Sequence, residues 1–276
     1  MASTLLQEEY LSSVSNFVYY LLILRGEGYM GEVNLSVLGR LLVELSWEGP
    51  KIKKYRNGGS GYENVLTTEV FQSLDFLPRE MFLGEIIKNL EGSISNELKT
   101  MILKDIEIIN FTLLPGDIFL SPNGINVQPD GIIESDHVYC LLEAKRIKNG
   151  QFSPQQLARE YTLVTKEARG RQPLLMLVLG ENPPVKVRDH GRISVKDSIL
   201  IHLESVLGKT KDHPYNFEQL AKMIDSSVAW ITWDQINEIV TRKLENFEFN
   251  SESPNTYNCI SRLVTSITDS IKRHKI

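Results

Sequence analysis

The chain has 276 residues, 42% apolar and 24% charged, a balance that excludes wholesale disorder and suits one large domain or a core domain with a small appendage. Two cysteines, Cys140 and Cys259, are too few for a disulfide framework or a four-cysteine zinc site, and the longest apolar run, from Phe17 to Leu24, is too short to span a bilayer. With 30 Lys+Arg against 35 Asp+Glu the formal charge is −5, which argues against a generic nucleic-acid coat yet leaves room for a basic face beside an acidic site. The opening residues carry no basic, apolar and small-residue succession of a secretion signal, so a reduced cytoplasmic protein is expected.

In chain order, apolar residues recur at helical spacing over residues 5–24 and again over 35–45, where Asn34 is placed to cap the second helix. Between them Gly26-Glu27-Gly28-Tyr29-Met30-Gly31 matches a dinucleotide-binding pattern. That fingerprint needs a strand before its glycines, and here a helix precedes them, so the match is accidental. Residues 51–61 are basic and glycine-rich without the Lys-Ser/Thr ending of a phosphate loop. They read as a solvated linker or a backbone-phosphate patch, and mark the best domain boundary. Helices are predicted over 63–77, closed by Pro78, then over 81–90 and 97–104.

The texture then changes. Residues 106–111, 118–120, 131–133 and 138–142 are short, β-branched or aromatic and separated by turn residues, which predicts a meander of strands. Ser153-Pro154-Gln155-Gln156 has the cap, proline and glutamine of a helix start, running to about Ala168. The apolar run 174–179 reads as a buried central strand. Helices over 195–207 and 217–224, a strand over 228–233, and helices over 234–244 and 256–272 complete the chain. Strands in a meander, then alternating with helices, predict an α/β fold with a mixed central sheet flanked by helices. An N-terminal helical accessory region (1–60), a main domain (61–250) and a C-terminal helix (251–276) are expected.

Chemistry concentrates between Pro129 and Lys145. Two apolar strands flank the polar segment 134–137. A hairpin symmetric about it sets Ile133 opposite Val138 and Asp130 opposite Leu141. Alternation then sends Asp130, Glu143 and Lys145 to one side, with Asp130 diagonal to Glu143, and Cys140, Leu142 and Ala144 to the other, into the core. Two neighbouring carboxylates repel unless a cation lies between them, and a hard divalent ion such as Mg²⁺ suits oxygen donors. Glu143 would hold the metal, the Ala144 carbonyl could add a ligand, and Lys145 would orient or stabilise an attacking water. The bland reading is a hairpin with charged ends in solvent.

Pro129-Asp130, twelve residues, then Glu143-Ala144-Lys145 resembles the signature of the PD-(D/E)xK nuclease superfamily, the restriction-endonuclease-like fold. The segments from Glu63 to Leu179 resemble that family's order of helix, three-strand meander, helix and buried strand. The resemblance implies Asp130, Glu143 and Glu63 as metal ligands, with Glu69 second choice to Glu63, and Lys145 as catalytic lysine. It also implies Gln156 as a substrate-positioning residue, although its spacing to Tyr161 is five where the family often has four. Asp117 competes with Asp130 for the acidic position. The implied activity is Mg²⁺-dependent endonucleolytic hydrolysis, with Mn²⁺ able to substitute. DNA is the expected nucleic-acid substrate, in prokaryotic defence or DNA mobility, with an ATP-driven partner protein or a homo-oligomer and no membrane.

Alternatives are a catalytically retired nuclease fold that binds nucleic acid or a partner, a nuclease acting on RNA, and a helical interaction protein without chemistry. The five histidines are scattered without zinc spacing, Asp189-His190 reads as loop surface, and Cys140 as an inert core thiol. Arg169, Arg171, Lys186, Arg188 and Arg192 either line a DNA channel or solubilise loops.

Overall fold

The apolar runs 138–142 and 174–179 lie side by side at the centre of a sheet. The computed structural model describes residues 60–120, 125–210, 212–247 and 254–275. The chain divides into two compact units, Met1–Ser36 and Val37–Ile276, and every described residue belongs to the second. The helices expected over 5–24 and 35–45, the glycine pattern between them and the basic stretch up to residue 59 lie outside the described residues.

The described elements, in order, are α1 (Ser60–Phe76), α2 (Leu83–Lys88), β1 (Glu91–Ile94), α3 (Asn96–Asp105), β2 (Asn110–Leu113), β3 (Ile118–Phe119), β4 (Asn126–Val127), β5 (Gly131–Glu134) and β6 (Val138–Ala144). There follow α4 (Gln156–Glu167), β7 (Gln172–Leu179), β8 (Val185–Val187), β9 (Gly191–Ile193), α5 (Val195–Leu207), α6 (Phe217–Ser227), β10 (Val228–Thr232), α7 (Trp233–Glu245) and α8 (Pro254–His274). Six strands form a mixed sheet in the order β1-β10-β7-β6-β5-β2, with β6, β7 and β10 parallel and the remaining pairings antiparallel. The protein is thus α/β, with a mixed sheet between helices. No helix among the described residues is long and apolar enough to cross a membrane.

Strand alternation sorts the central side chains into two cores. Cys140, Leu142, Ala144, Leu174, Met176, Val178, Ala229 and Ile231 enter one, packed by α1, α2, α3, α7 and the apolar stripe Ile260, Val264, Ile267 and Ile271 of α8. Tyr139, Leu141, Leu175, Leu177, Leu179 and Val228 enter the other, under α4, α5 and α6. The strands are covered on both faces, which is why 174–179 is apolar without a break.

Several boundaries differ from the sequence reading. Residues 106–109 close α3 as a turn, and the strand is Asn110–Leu113. β3 lies outside the main sheet, paired with β4 in a ribbon of its own, so the meander is β2-β5-β6. The 81–90 helix shrinks to Leu83–Lys88, and Trp233 opens α7 instead of ending β10, because the Thr232 hydroxyl caps that helix in a reciprocal box with Gln235. β1 and the β8–β9 hairpin carry too few apolar residues to signal themselves.

Candidate functional site at the carboxyl ends of β6 and β7

The hairpin register is displaced by two residues from the symmetric one. Glu134 pairs with Tyr139, Ile133 with Cys140 and Gly131 with Leu142. The cause lies in the turn. Ser135 accepts the Val138 and His137 backbone N–H groups, while its own hydroxyl donates to Asp105 Oδ2 at 2.6 Å, which also binds His137 Nδ1 at 2.8 Å. Tethered to the end of α3, the turn takes up residues that a symmetric hairpin would pair. The Ser135 bond, with His137 beside it, holds the Asp105 carboxyl below its usual range despite burial. A slip of two preserves faces, so Asp130, one step beyond Gly131, lies directly across from Glu143 instead of diagonal to it.

The faces are as expected, but the environment is not the solvated one of the bland reading. Asp130, Glu143 and Lys145 retain 8%, 3% and 9% of their surface, because α4 covers that side of the sheet. Asp130 Oδ2 accepts the Ala144 backbone N–H at 2.7 Å. Lys145 Nζ donates to Glu143 Oε1 at 2.5 Å and lies 3.6 Å from Glu63 Oε1. Glu63, in the first turn of α1, also accepts the Arg146 N–H at 3.0 Å. Gln156, the first residue of α4, donates from Nε2 to Glu143 Oε1 at 2.5 Å and accepts the Ser153 N–H at 3.3 Å. The α4 start therefore differs from the expected cap. Its N-cap is Gln155 without a side-chain bond, and the reach-back comes from Gln156.

All five side chains named from the sequence (Glu63, Asp130, Glu143, Lys145 and Gln156) thus meet in one place, with Ala144 contributing its backbone N–H. Asp117 is exposed before β3, and Glu69 pairs with Arg273 at 3.0 Å. The backbone beneath is held on two sides. The Lys145 N–H donates to Val178 O at 2.8 Å, and the fully buried Trp233 donates its indole N–H to Lys145 O at 2.7 Å.

One residue escaped the sequence reading. Glu160, one turn after Gln156 on α4, is 2% exposed, and its Oε2 has no hydrogen-bond partner among the described residues. The signal was available: Leu157, Glu160 and Val164 share a helical stripe whose apolar members pack in the core, so Glu160 is a carboxylate set in an apolar row.

Burial lifts the Asp130 carboxyl well above the usual range, and Glu143 adds to the rise. Burial raises Glu143 against the pull of Lys145, and raises Glu160 well above its ordinary value with help from Glu143. Burial alone would depress Lys145, but Glu143, Glu63, Asp130 and Glu160 together hold it above the ordinary lysine range. It is therefore an ammonium at any neutral pH. Among the described residues, no three Asp, Glu, His or Cys groups are already arranged around one cation position. The fit to a hard divalent ion is one of donor chemistry: oxygen ligands only, more buried carboxylates than the single ammonium neutralises, and one buried oxygen without a partner.

Beside Lys145 opens a cavity of about 250 Å³, walled by Arg146, Phe152, Lys186, Arg192 and Glu181. Lys145 Nζ sits 5.0 Å from the Phe152 ring centroid. Arg192 pairs with Glu181, whereas Lys186, on the outward face of β8, has no ion pair among the described residues. Arg169 and Arg171 lie elsewhere, before β7 begins and so about 20 Å from the site along the strand. Arg171 is spent on Glu134 at 2.9 Å and on the Tyr139 ring. Of the arginines and lysines proposed for a channel, the β8–β9 group borders the site and the Arg169–Arg171 group does not. Cys140 is buried, with its thiol pushed far up by burial, in keeping with an inert core residue. No family model, curated protein or solved structure matches the chain.

Proposed function

We propose that the chain is a Mg²⁺-dependent endonuclease of the PD-(D/E)xK type that hydrolyses phosphodiesters in DNA, with Mn²⁺ able to substitute. The observation that carries this reading is the convergence of Glu63, Asp130, Glu143, Lys145 and Gln156, from four separate stretches of chain, at the carboxyl ends of two parallel strands. The order α1, β2-β5-β6 meander, α4, β7 supports the family reading, with α2, β1 and α3 set between α1 and the meander and the β3–β4 ribbon inside it.

Asp130, Glu143 and Glu63 would hold the cation, which when bound supplies Lewis acidity and neutralises charge on the phosphodiester. Lys145, which its carboxylate neighbours hold as an ammonium, would donate hydrogen bonds to the attacking water oxygen or to the phosphoryl oxygen on which charge grows. Gln156 fixes the Glu143 carboxylate by its bond to Oε1. The water oxygen bonds to phosphorus as the P–O ester bond breaks; the water gives up one proton to solvent and the departing oxygen takes one up, leaving a phosphomonoester and a free hydroxyl. The cavity beside Lys145, with Arg146 and Lys186 on its walls, is the path for the flanking phosphates. A cytoplasmic role in prokaryotic defence or DNA mobility, with a partner protein, belongs to the same proposal and rests on the family resemblance.

The test is nicking and linearisation of supercoiled plasmid with Mg²⁺ or Mn²⁺, alongside labelled linear DNA and RNA. Glu143→Ala and Lys145→Ala each lower cleavage by roughly a hundredfold or more. Cleavage that survives both substitutions removes the assignment, and cleavage of RNA alone moves the substrate class.

A further inference from the structure

We propose that Glu160 is a further cation-binding residue of this site, so that the cation is held from α4 as well as from the β5–β6 hairpin and α1. The inference rests on the metal-dependent reading above and deepens it.

The argument starts from an unmet bond. A carboxylate stripped of water needs hydrogen-bond donors or a cation, since each lone pair left bare keeps its full desolvation penalty. Glu160 shares side-chain hydrogen bonds with Gln156 and Glu143, but its buried Oε2 is unpartnered, and Glu160 enters no salt bridge, among the described residues. Helix spacing places it on the same face as Gln156, one turn along, and Gln156 touches Glu143 directly. The only ammonium in this group, Lys145, is already bound to Glu143 and faces Glu63. The charge balance is therefore incomplete: Asp130, Glu143, Glu160 and Glu63 surround one Lys145. A divalent ion supplies both the missing charge and a partner for the orphaned oxygen. A purely structural acid at this position would be expected to find a backbone donor or an arginine, yet the nearby Arg159 side chain bonds Gln155 instead.

The test is calorimetric titration of the full chain with Mn²⁺ alone, together with thermal unfolding in EDTA and in Mn²⁺. The variants are Glu160→Gln and Glu143→Gln. Glu160→Gln is expected to weaken Mn²⁺ binding about tenfold or more. It should also shrink the Mn²⁺-dependent gain in Tm, while in EDTA it melts no lower than the parent chain because an unpaired carboxylate has gone. Equal Mn²⁺ affinity in Glu160→Gln and the parent, with Glu143→Gln weakened, overturns this inference and leaves the nuclease reading standing. A parent chain that binds no Mn²⁺ removes both. If Glu160→Gln fails to fold, Glu160→Met, which keeps volume without polarity, gives the same comparison. A Glu160→Met chain that binds Mn²⁺ like the parent is equally fatal.

Discussion

Trp233→Phe isolates the support beneath Lys145 without touching any charged group. The indole N–H donates to Lys145 O at 2.7 Å inside a fully buried contact. Phenylalanine keeps the ring against Phe71 but leaves that carbonyl without its donor. Stranding a buried backbone carbonyl costs about 1–3 kcal/mol. The smaller ring adds a cavity worth about 1 kcal/mol. The sum, about 2–4 kcal/mol, corresponds in a domain of this size to a Tm lower by roughly 5–15 °C. Because the same carbonyl belongs to Lys145, the loss is not confined to stability. Measured well below the unfolding transition, plasmid cleavage should fall about tenfold in kcat, since small displacements of a positioned group are expensive, with little change in KM. Differential scanning fluorimetry and initial cleavage rates read the two effects separately. A variant that melts within about 2 °C of the parent and cleaves at full rate refutes the claim that this bond holds the lysine in place.

Metal-free stability should depend on pH in an unusual direction. Asp130, Glu143 and Glu160 have folded values raised above the ordinary 3.8 and 4.5, so above those values the folded state binds more protons than the unfolded state. By linkage its stability then falls as pH rises, and the Tm gained from Mg²⁺ or Mn²⁺ should grow between about pH 5.5 and 8. His202 and His213, lowered by burial, act oppositely near their ordinary 6.5, but equally with and without metal, so a pH-independent metal gain would count against the carboxylate account. Lys186→Ala should weaken binding of a labelled oligonucleotide about tenfold and reduce the salt slope by roughly one, as removal of one phosphate contact requires; unchanged anisotropy titrations would move the substrate path off the β8–β9 wall. Gly180→Ala drives a Cβ into the Arg146 and Ile147 carbonyls, backbone atoms that cannot swing aside. It should cost about 3 kcal/mol or more and be seen as a lower denaturation midpoint; a neutral result would mean that the ends of β6 and β7 are looser than their packing indicates.

The sequence carried the site further than it carried the fold's margins. Asp130, Glu143 and Lys145 were legible because alternation along a strand survives an even slip in register, so a wrong pairing still gave the right face. The error in register came from Asp105, distant in sequence, whose bonds to Ser135 and His137 no local pattern announces. Glu63 was reached through family order, and its bond to the Arg146 N–H is a tertiary contact that helix periodicity cannot reveal. Glu160 was overlooked because a charged residue in an apolar stripe was passed over as a break in the pattern, when it was the informative position. β1 stayed hidden because its four residues, Glu91–Ile94, are an edge strand with two exposed members and a glycine at positive φ.

The pairing of α1 with α8 sets the order in which the site can come into being. Glu63 is carried by the first described helix, whose packing partner in the core is the last, and Arg273 reaches back to Glu69 to join them. β1 likewise waits for β10, the final strand of the sheet. A chain emerging from the ribosome has made Asp130, Glu143 and Lys145 long before α8 exists to seat the helix that bears Glu63. A chain not yet made as far as α8 therefore carries an incomplete set of acids. On the nuclease reading proposed above, this topology postpones cutting until α8 is in place.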